Sequence, residues 1–429
     1  MKRLIQAIRR PVQARIKIPG SKSITNRALL LAALANGVSE ISSILVSDDT
    51  VTFINALRQL GVMVQFNEAT QTCIVGGSSG HFPKKEASIW CKDAGTAARF
   101  LLAACAASPG KYTFDGGERL RERPIISLLN ILHMQGARIL PPHATQMPFT
   151  LEGREKLLGG EIEIDGSESG QFISALLMAA PFAQAPTLLK TSHLVSRSYV
   201  EMTCTMMAEF GVLVRRLHQE RFSIPVPQRY TARDYVVEPD LTTASYFFAA
   251  AAVTGGQVII QPIDIKHSTQ GDAKFLTVLE KMGCIVTETA TGLMVKGPAE
   301  LRGVSVDMRH FSDTFMTLAA IAPFASTPTT ITNIRHTRLQ ESNRITVMRE
   351  ELTKLNVKAE EGPDWIKIYP SQPVFGTINA HHDHRIAMAF SIMGLRTGVQ
   401  IEGAQCVSKT CPAFFELWDE LYPVIEKNL

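Results

Sequence analysis

Apolar and polar positions follow a pattern along the chain that repeats about every 72 residues. Each repeat opens with a strand-like run and a short loop of small or polar residues, followed by an apolar, alanine-rich helix. The first turn of each predicted helix carries one polar or charged residue. These residues are Arg27, Arg99, Gln171, Ser245, Asp313 and Arg385, at spacings of 72, 72, 74, 68 and 72. The pattern therefore predicts six repeated α/β units.

The second half of each repeat is also regular, with a β-rich run, a polar loop and an amphipathic helix. In the first five repeats a Gly or Asn follows this second helix, at Gly61, Gly136, Gly211, Gly283 and Asn356. Gly and Asn are the residues that most readily adopt the left-handed backbone that ends a helix. The sixth repeat lacks the β-run after its second helix. We expect residues 12–18, near the N-terminus, to supply it.

Six units of this size are too many for one hydrophobic core, which predicts two lobes of three units each. We expect the first lobe to consist of residues 1–21 and 237–429, and the second lobe of residues 22–236. The proline-containing run at 225–230 supports a boundary just before the fourth unit. The chain is therefore expected to be an α/β protein with a discontinuous first lobe.

Composition narrows the classes of function. Of the 429 residues, 44 are Lys or Arg and 40 are Asp or Glu, and this net charge of +4 is too small for a nucleic-acid coat. No apolar run approaches the roughly 20 residues of a membrane span, so no membrane partner is expected. The seven cysteines form no CxxC pair, which favours reduced thiols and a cytoplasmic protein.

The loops before the apolar helices carry the candidate chemistry. Helix N-termini attract anions, and Lys22, Arg27 and Arg385 lie beside apolar helices, where an unpaired charge is costly. An anionic ligand would remove this cost. Further charged residues in comparable loops are Arg123, Arg338, Arg344 and Lys409, with Asp313 and Glu341 as carboxylates for proton transfer. The sequence predicts a site for several anionic groups, although N-capping alone would explain any single loop.

Competing motifs are absent from the sequence. It contains no GxxxxGK[ST] phosphate loop, no GxGxxG after a strand and no GxSxG elbow. His381, His382 and His384 are spaced like metal ligands, but Arg385 follows directly and no Cys or carboxylate pair lies nearby at ligand spacing. We therefore expect no metal site.

The charged loops resemble those of the 5-enolpyruvylshikimate-3-phosphate synthases. The matching segments lie in the order and approximate spacing of that family over essentially the whole chain, at residues 19–27, 94–96, 122–124, 169–171, 341–344, 383–385 and 409. The resemblance implies a two-lobed inverse α/β barrel of the enolpyruvyl transferase type, with the active site in a cleft that closes between the lobes. It implies enolpyruvyl transfer from phosphoenolpyruvate to the 5-hydroxyl of shikimate 3-phosphate, without a cofactor, and a monomer is expected.

The resemblance also implies roles for individual residues. The expected catalytic residues are Lys22, Asp313, Glu341 and His384. The residues expected to bind phosphoenolpyruvate are Lys22, Gly95, Arg123, Gln171, Arg344, Arg385 and Lys409. The residues expected to bind shikimate 3-phosphate are Lys22, Ser23, Arg27, Ser169, Gln171, Ser196, Tyr199, Asp313 and Gln340. Both substrates are anions, which accounts for the basic residues in the loops.

The chain departs from the family pattern at several positions. Gln340 stands where the family usually has Lys, and Gly170 replaces a Ser that usually helps to bind the acceptor phosphate. Asp93 replaces the usual Asn, and Phe100 replaces a common Pro. Two alternatives therefore stay open: an enolpyruvyl transferase for a different phosphorylated acceptor, and a catalytically silent relative that only binds ligands. A cell-wall enolpyruvyl transferase is disfavoured because Ser23, and not Asn, follows Lys22.

Overall fold

The computed structural model describes residues 1–218, 220–261 and 263–422. The chain divides into two compact units, one formed by Met1–Pro19 with Pro239–Leu429 and the other by Gly20–Glu238. The sequence placed these two boundaries after residues 21 and 236. No helix in the described ranges is long and apolar enough to cross a membrane.

The N-terminal segment and the first three repeats run from the first unit into the second. Their elements are β1 (Lys2–Ile5), β2 (Gln13–Ile16), α1 (Lys22–Leu34), β3 (Val38–Ser42), α2 (Asp48–Gln59), β4 (Met63–Asn67), β5 (Thr72–Gly76), β6 (Glu86–Trp90), α3 (Gly95–Ala106), β7 (Gly110–Asp115), α4 (Glu118–Glu122), α5 (Ile126–Met134), β8 (Arg138–Leu140), β9 (Phe149–Gly153), β10 (Gly160–Asp165), α6 (Gly170–Ala179), β11 (Thr187–Ser192), α7 (Arg197–Glu209), β12 (Arg215–Leu217), β13 (Arg221–Ile224) and β14 (Tyr235–Val236).

The last three repeats return to the first unit. Their elements are α8 (Leu241–Thr254), β15 (Gln257–Ile260), α9 (Lys274–Lys281), β16 (Ile285–Thr289), β17 (Gly292–Lys296), β18 (Ser305–Asp307), α10 (Phe315–Ile321), β19 (Thr329–Thr332), α11 (Arg344–Lys354), β20 (Ala359–Glu361), β21 (Ile366–Ile368), β22 (Gly376–Asn379), α12 (His384–Thr397), β23 (Val399–Glu402) and α13 (Phe414–Asp419). Short 3₁₀ turns at Ser312–Thr314, Arg335–Leu339 and Ala404–Lys409 lie between them.

The sheet topology confirms six α/β units. Each complete sheet has the order β6-β7-β9-β8 or its equivalent, in which the first two strands are parallel and the others antiparallel. In the sheets that begin with β6, β10 and β18, a helix joins the two parallel strands, as parallel pairing requires a crossover. In the other two sheets the parallel partners, β14 with β3 and β2 with β15, are far apart in the sequence. The described residues form five such four-stranded sheets and one three-stranded sheet, β1-β23-β22.

The origin of the last strand was predicted wrongly. The strand β1, and not the segment at 12–18, completes the sixth sheet by pairing antiparallel with β23. The strand β2 instead pairs parallel with β15 and leads the fourth sheet, while β14 leads the first sheet in the same way. The reason is the direction of the chain. Residues 13–16 run parallel to β15, and the first strand of a four-stranded sheet is the one that pairs in parallel. The N-terminal segment does belong to the C-terminal half, as expected.

The alanine-rich helices pack against one another inside each unit. Helix α3 packs against both α1 and α6, while α8, α10 and α12 pack together in the other unit. Their small side chains allow this close approach, and the apolar residues of all six are buried. The predicted helix ends are also confirmed. The residues that follow the second helices have positive φ, at 87° for Gly61, 95° for Gly136, 89° for Gly211, 103° for Gly283 and 64° for Asn356.

The contact between β1 and α12 yields a stability prediction. A Cβ built on Gly394 would lie 2.5 Å from Ile5 Cγ2. Ala is favoured over Gly inside a helix by about 1 kcal/mol, but overpacking a core costs about 1–3 kcal/mol. We therefore expect Gly394→Ala to lower the free energy of unfolding in urea. Because Ile5 Cβ would also lie 2.6 Å from the new Cβ, the matching background is Ile5→Gly, in which the same change should be neutral or stabilising. A loss of equal size in both backgrounds would contradict the packing argument.

Candidate functional site

In the unit Gly20–Glu238, a buried arginine joins three helices. Arg27 lies on α1 and is 2% exposed. Its Nε donates to Thr203 Oγ1 at 2.7 Å, and its Nη2 donates to Ser174 Oγ at 3.3 Å and to the Tyr199 carbonyl at 3.1 Å. Its Nη1 donates to the Ser23 carbonyl at 3.0 Å. We call Arg27, Ser174, Tyr199, Thr203 and Phe100 the Arg27 cluster.

The Phe100 ring supplies an electrostatic partner for this guanidinium. Arg27 Cζ lies 5.0 Å from the ring centroid of Phe100 and 6.0 Å from that of Tyr199, within the range of cation–π attraction. Burial lowers the pKa of Arg27 to about 10, so the side chain still carries its charge at neutral pH. Hydrogen bonds to protein oxygens and contacts with aromatic rings therefore offset the cost of burying the Arg27 charge, for which an anionic ligand was expected.

A second group in this unit is built around the start of α3. The side-chain oxygen Oε1 of Gln171 accepts a hydrogen bond from Arg99 Nη1 at 2.7 Å. The backbone N–H of Gln171 donates to Ser169 Oγ at 3.2 Å. A Cβ built on Gly95 would lie 2.7 Å from Arg123 Nη1. The missing side chain at Gly95 therefore leaves the space that the guanidinium occupies. Arg99 was noted only as a first-turn residue, and its contact to Gln171 places it in this group.

Lys22 and the residues near Ser196 lie in the same unit. Lys22 Nζ is 3.3 Å from Asp49 Oδ2 on α2, and both side chains are largely buried. Ser196 has a left-handed backbone with φ of 52° just before α7, and its carbonyl accepts from the Tyr199 amide at 3.0 Å. Sequence reasoning missed Asp49, and the available signal was its place in the first turn of α2, beside a capping serine.

Three departures from the family pattern have local explanations. A Cβ built on Gly170 would lie 3.0 Å from the Val195 carbonyl oxygen, a tight contact that this oxygen must relieve by a shift of a few tenths of an ångström. A Cβ built on Gly117 would lie 2.5 Å from Asp93 Oδ1, which places that carboxylate at the start of α4. An acidic side chain is favourable at a helix N-terminus. Phe100 is the ring that faces Arg27.

In the other unit, Arg344 is surrounded by carboxylates at the start of α11. The side chain is 1% exposed. Its Nε donates to Asp383 Oδ2 at 2.8 Å, its Nη2 donates to Glu341 Oε2 at 2.7 Å, and its Nη1 lies 3.5 Å from Asp313 Oδ1. The side-chain oxygen of Gln340 also accepts from Arg344. We call Gln340, Glu341, Asp313, Arg344, Asp383 and Arg385 the Arg344 cluster.

Arg385 completes this cluster from the start of α12. Its Nη2 donates to Asp313 Oδ2 at 2.6 Å. Two arginines thus face three carboxylates. Although burial lowers it, the charges of Asp383 and Glu341 together hold the pKa of Arg344 above its ordinary value. The cluster therefore keeps its cations charged without any bound anion, contrary to the reasoning that led to it.

Asp383 is the residue that sequence reasoning used least. Its Oδ1 accepts from the Arg385 amide at 3.0 Å and caps α12, and its Oδ2 accepts from Ser342 Oγ at 2.9 Å. The signal was its position directly before an apolar helix. His384 is buried beside it, with Nδ1 3.8 Å from Asp383 Oδ1.

Two further predicted residues, Lys409 and Arg338, lie on 3₁₀ turns that pack against α12 and α11. Lys409 ends the 3₁₀ turn Ala404–Lys409, which packs against α12. Burial raises the pKa of the Cys406 thiol to about 12, and the charge of Lys409 acts to lower it. Arg338, which the sequence grouped with the anion-binding residues, instead donates to the Pro363 carbonyl at 3.0 Å and to Asn343 Oδ1 at 2.9 Å. Arg338 therefore stabilises the entry into α11.

Two further buried side chains adjoin the cluster. His336 Nε2 lies 2.7 Å from Ser312 Oγ, next to Asp313 in the sequence, and burial lowers the pKa of His336 to about 4. Tyr246, on α8, is buried against Phe414, and burial raises its pKa to about 12 although the neighbouring Arg385 acts to lower it. Both side chains are therefore neutral near pH 7. Their sequence context, a 3₁₀ turn and an apolar helix, gave no signal of this proximity.

No group of three or more His, Cys, Asp or Glu residues within the described ranges has the geometry of a metal site. Of the three closely spaced histidines, His381 pairs instead with Glu351, with Nε2 2.7 Å from Oε1.

The neutral state of His336 yields a pH prediction. Its pKa is about 4 in the folded protein and near 6.5 in an unfolded chain, so only the unfolded chain takes up a proton between these values. The contribution of His336 to the free energy of unfolding is therefore fully present above pH 6.5. Protonation of the unfolded chain lowers the free energy of unfolding by about 3 kcal/mol as the pH falls to 4. We expect His336→Gln, which can keep the bond to Ser312, to flatten the loss measured by urea unfolding. His143→Gln, at an exposed histidine, should leave the pH dependence of the free energy of unfolding as it is in the wild type. Identical pH profiles for the wild type and both variants would contradict the prediction.

Comparisons with known proteins give a consistent result. The sequence profile of the EPSP synthase family (3-phosphoshikimate 1-carboxyvinyltransferase) matches residues 6–418. A 3-phosphoshikimate 1-carboxyvinyltransferase from Nostoc sp. is 45% identical over 414 residues, which is 96% of this chain and 97% of the relative. A relative of the same name from Syntrophobacter fumaroxidans is 42% identical over 418 residues, covering 96% of this chain and 97% of its own.

Solved structures share the fold. EPSP synthase from Acinetobacter baumannii superposes with a TM-score of 0.82 at 24% identity, covering 98% of both chains. The enolpyruvyl transferase NikO from Streptomyces tendae superposes with a TM-score of 0.78 at 17% identity, covering 97% of this chain and 96% of that one. At these identities the likeness establishes the two-lobed α/β architecture.

Proposed function

The chain belongs to the EPSP synthase family, and we infer that it transfers the enolpyruvyl group of phosphoenolpyruvate to the 5-hydroxyl of shikimate 3-phosphate, with release of phosphate. The observation that carries this inference is the family match over residues 6–418. The acidic and basic side chains that the reaction needs are present at the matching positions in both units.

We propose that phosphoenolpyruvate is held by residues of both units, five of which are cations. The residues are Lys22, Gly95, Arg123, Gln171, Arg344, Arg385 and Lys409. The Arg344 cluster alone has more carboxylates than arginines, so it cannot neutralise a further carboxylate and phosphate by itself. Arg123, beside Gly95, and the two lysines supply the missing positive charge. Arginine suits the carboxylate because its planar fork binds two oxygens at once.

Shikimate 3-phosphate is assigned to residues centred on the Arg27 cluster. They are Lys22, Ser23, Arg27, Ser169, Gln171, Ser196, Tyr199, Asp313 and Gln340. Arg27 is already fixed by its contacts to Thr203 and Ser174, so little side-chain entropy is lost when it meets a ligand. The left-handed backbone at Ser196 is consistent with this role, since strained residues gather at ligand sites.

The proton transfers follow from the chemistry of the two substrates. The methylene carbon of phosphoenolpyruvate gains a proton, and the acceptor hydroxyl loses one as it attacks the neighbouring carbon. The tetrahedral intermediate then expels phosphate while its new methyl group loses a proton, which restores the carbon–carbon double bond. We assign the exchange with phosphoenolpyruvate to Lys22 and Glu341, and the acceptor proton to Asp313. His384 assists this proton network from beside Asp383.

Asp313 must change partners before it can act as a base. In the described structure its Oδ2 accepts from Arg385 at 2.6 Å, so this oxygen is occupied by a guanidinium and is not available to the acceptor hydroxyl. Arg385 is also assigned to phosphoenolpyruvate. Substrate binding would therefore transfer the guanidinium from Asp313 to the substrate carboxylate and release the base at the same step.

A different acceptor remains the second candidate. The observation that favours it is the closed space at Gly170, together with Gln340 bonded to Arg344 where the family usually has Lys. A coupled phosphate-release assay that omits each substrate in turn separates the two. Saturation by shikimate 3-phosphate at low concentration supports the first function, and turnover only at very high concentration supports the second.

Glu341→Gln tests the assignment of the proton transfers. Gln keeps an oxygen for Arg344 but cannot exchange a proton, and general acid–base catalysis contributes about 10²–10⁴-fold. We expect a loss of that size in the rate of phosphate release, with the far-ultraviolet circular dichroism unchanged. Glu350→Gln, at a half-buried carboxylate on α11 that pairs with Arg349, serves as the control and should keep its activity. Full turnover by Glu341→Gln would refute the role.

Phe100→Leu tests whether the Phe100 ring stabilises the Arg27 guanidinium for the binding of shikimate 3-phosphate. Loss of a desolvated cation–π contact costs about 0.5–2 kcal/mol, which corresponds to about a 2- to 30-fold rise in the KM for shikimate 3-phosphate. The KM for phosphoenolpyruvate should change less. Phe114→Leu makes the same change at a buried ring that stacks on Phe149 and that no arginine or lysine faces among the described residues, so it reports the loss of core packing alone. Equal kinetic effects of the two substitutions would contradict the assigned contact.

A further inference from the structure

A buried carboxylate outside the proposed site holds the loop that leads into α12. Glu351 lies on α11, and its side chain is 1% exposed. Its Oε1 accepts from His381 Nε2 at 2.7 Å, and its Oε2 accepts from the Asn379 amide at 3.2 Å. Lys354 Nζ donates to both oxygens at 2.8 and 2.9 Å. Burying a carboxylate is costly without such partners, and two of the three belong to the loop.

The loop itself adopts an unfavourable backbone. His381 and His382 both have positive φ, at 51° and 56°, a region that residues with a Cβ avoid and seldom occupy in succession. The His381 amide donates to Asn379 Oδ1 at 2.7 Å, and the Asp383 amide donates to the Ala380 carbonyl at 2.8 Å. Strained residues persist only where surrounding contacts over-determine them, and they gather at functional sites.

Helix α11 holds this loop at two points. At its start, Arg344 binds Asp383, the capping residue of α12. Glu351 follows seven residues later, about 10 Å along the helix axis, and binds Asn379 and His381. The loop 379–383 is thus fixed at both ends to one rigid element. His384 and Arg385 follow directly, so the backbone of the loop sets their direction.

We propose that the Glu351–His381 contact is a latch that positions His384 and Arg385 for the reaction. The proposal rests on the proposed function, because that function assigns these two residues to proton transfer and to phosphoenolpyruvate. Neither Glu351 nor His381 touches the substrates in this account, so both are positioning residues. Release of the latch should impair the use of phosphoenolpyruvate more than that of shikimate 3-phosphate, whose assigned residues lie mainly in the other unit.

The neighbouring histidines provide a matched pair of variants. Asn tolerates a left-handed backbone, but at position 381 its side chain is too short to reach Glu351. We expect His381→Asn to lower kcat/KM for phosphoenolpyruvate about tenfold, the scale for loss of a hydrogen bond to a charged group, and kcat/KM for shikimate 3-phosphate less than threefold. His382→Asn meets the same backbone requirement at an exposed side chain, and should stay within twofold of the wild type for both substrates.

A conservative variant separates positioning from general stability. The amide nitrogen of Gln lies near the place of His Nε2, so His381→Gln should recover at least half of the activity lost in His381→Asn. A loss shared equally by both substrates, equal losses in His381→Asn and His382→Asn, or no recovery in His381→Gln would each overturn the latch.

Hydrogen exchange tests the latch without relying on the activity. The Asn379 amide donates to Glu351, so exchange in a peptide spanning 376–386 should be at least tenfold faster in Glu351→Gln and His381→Asn than in the wild type or His382→Asn. Unchanged exchange in both variants would overturn the latch. If the wild-type protein releases no phosphate from the two substrates, the proposed function fails, while the exchange result still decides whether the contact holds the loop.

Discussion

One deeply buried guanidinium in each unit ties together the helices that carry the site. Arg27 links α1 to α6 and α7 through Ser174 and Thr203, and Arg344 links α11 to α12 through Asp383. A buried charge without partners would be far too costly, so these contacts must form as the helices pack. The same arrangement fixes the N-termini of the helices, which is where the reaction needs rigid groups. In the proposed function, stability and catalysis therefore depend on the same arginines.

The two clusters offset the cost of burying a charged guanidinium in different ways. The Arg27 cluster uses neutral oxygens and rings, which leaves its positive charge available to an anionic ligand. The Arg344 cluster uses carboxylates, so a ligand must compete with Asp313 for Arg385. Under the proposed function, this competition would link the binding of phosphoenolpyruvate to the release of Asp313 as the base. It also makes the loop before α12 important, because a small rotation there would change which oxygen Arg385 meets.

The repeat architecture was predictable because it depends on periodic features, namely apolar helices and the Gly or Asn that ends the second helix of five repeats. The origin of the sixth sheet's last strand was not, because both candidate N-terminal strands have similar patterns and only pairing direction separates them. The charged loops predicted the candidate site residues, yet the pairing of Arg344 with Asp383 and of Lys22 with Asp49 depends on tertiary contacts. Glu351 and His336 gave no signal, since a buried polar residue on an amphipathic element resembles an exposed one in sequence.

The claim that protein carboxylates neutralise Arg344 before any substrate binds is tested most directly at Asp383. The measurement is the free energy of unfolding of Asp383→Asn in urea, without ligand, beside Asp419→Asn, whose partner Arg3 lies near the surface. Breaking a buried ion pair costs about 3–5 kcal/mol, whereas a partly exposed pair contributes about 0–1 kcal/mol. We expect losses in these two ranges. A loss below about 1 kcal/mol for Asp383→Asn would contradict the account.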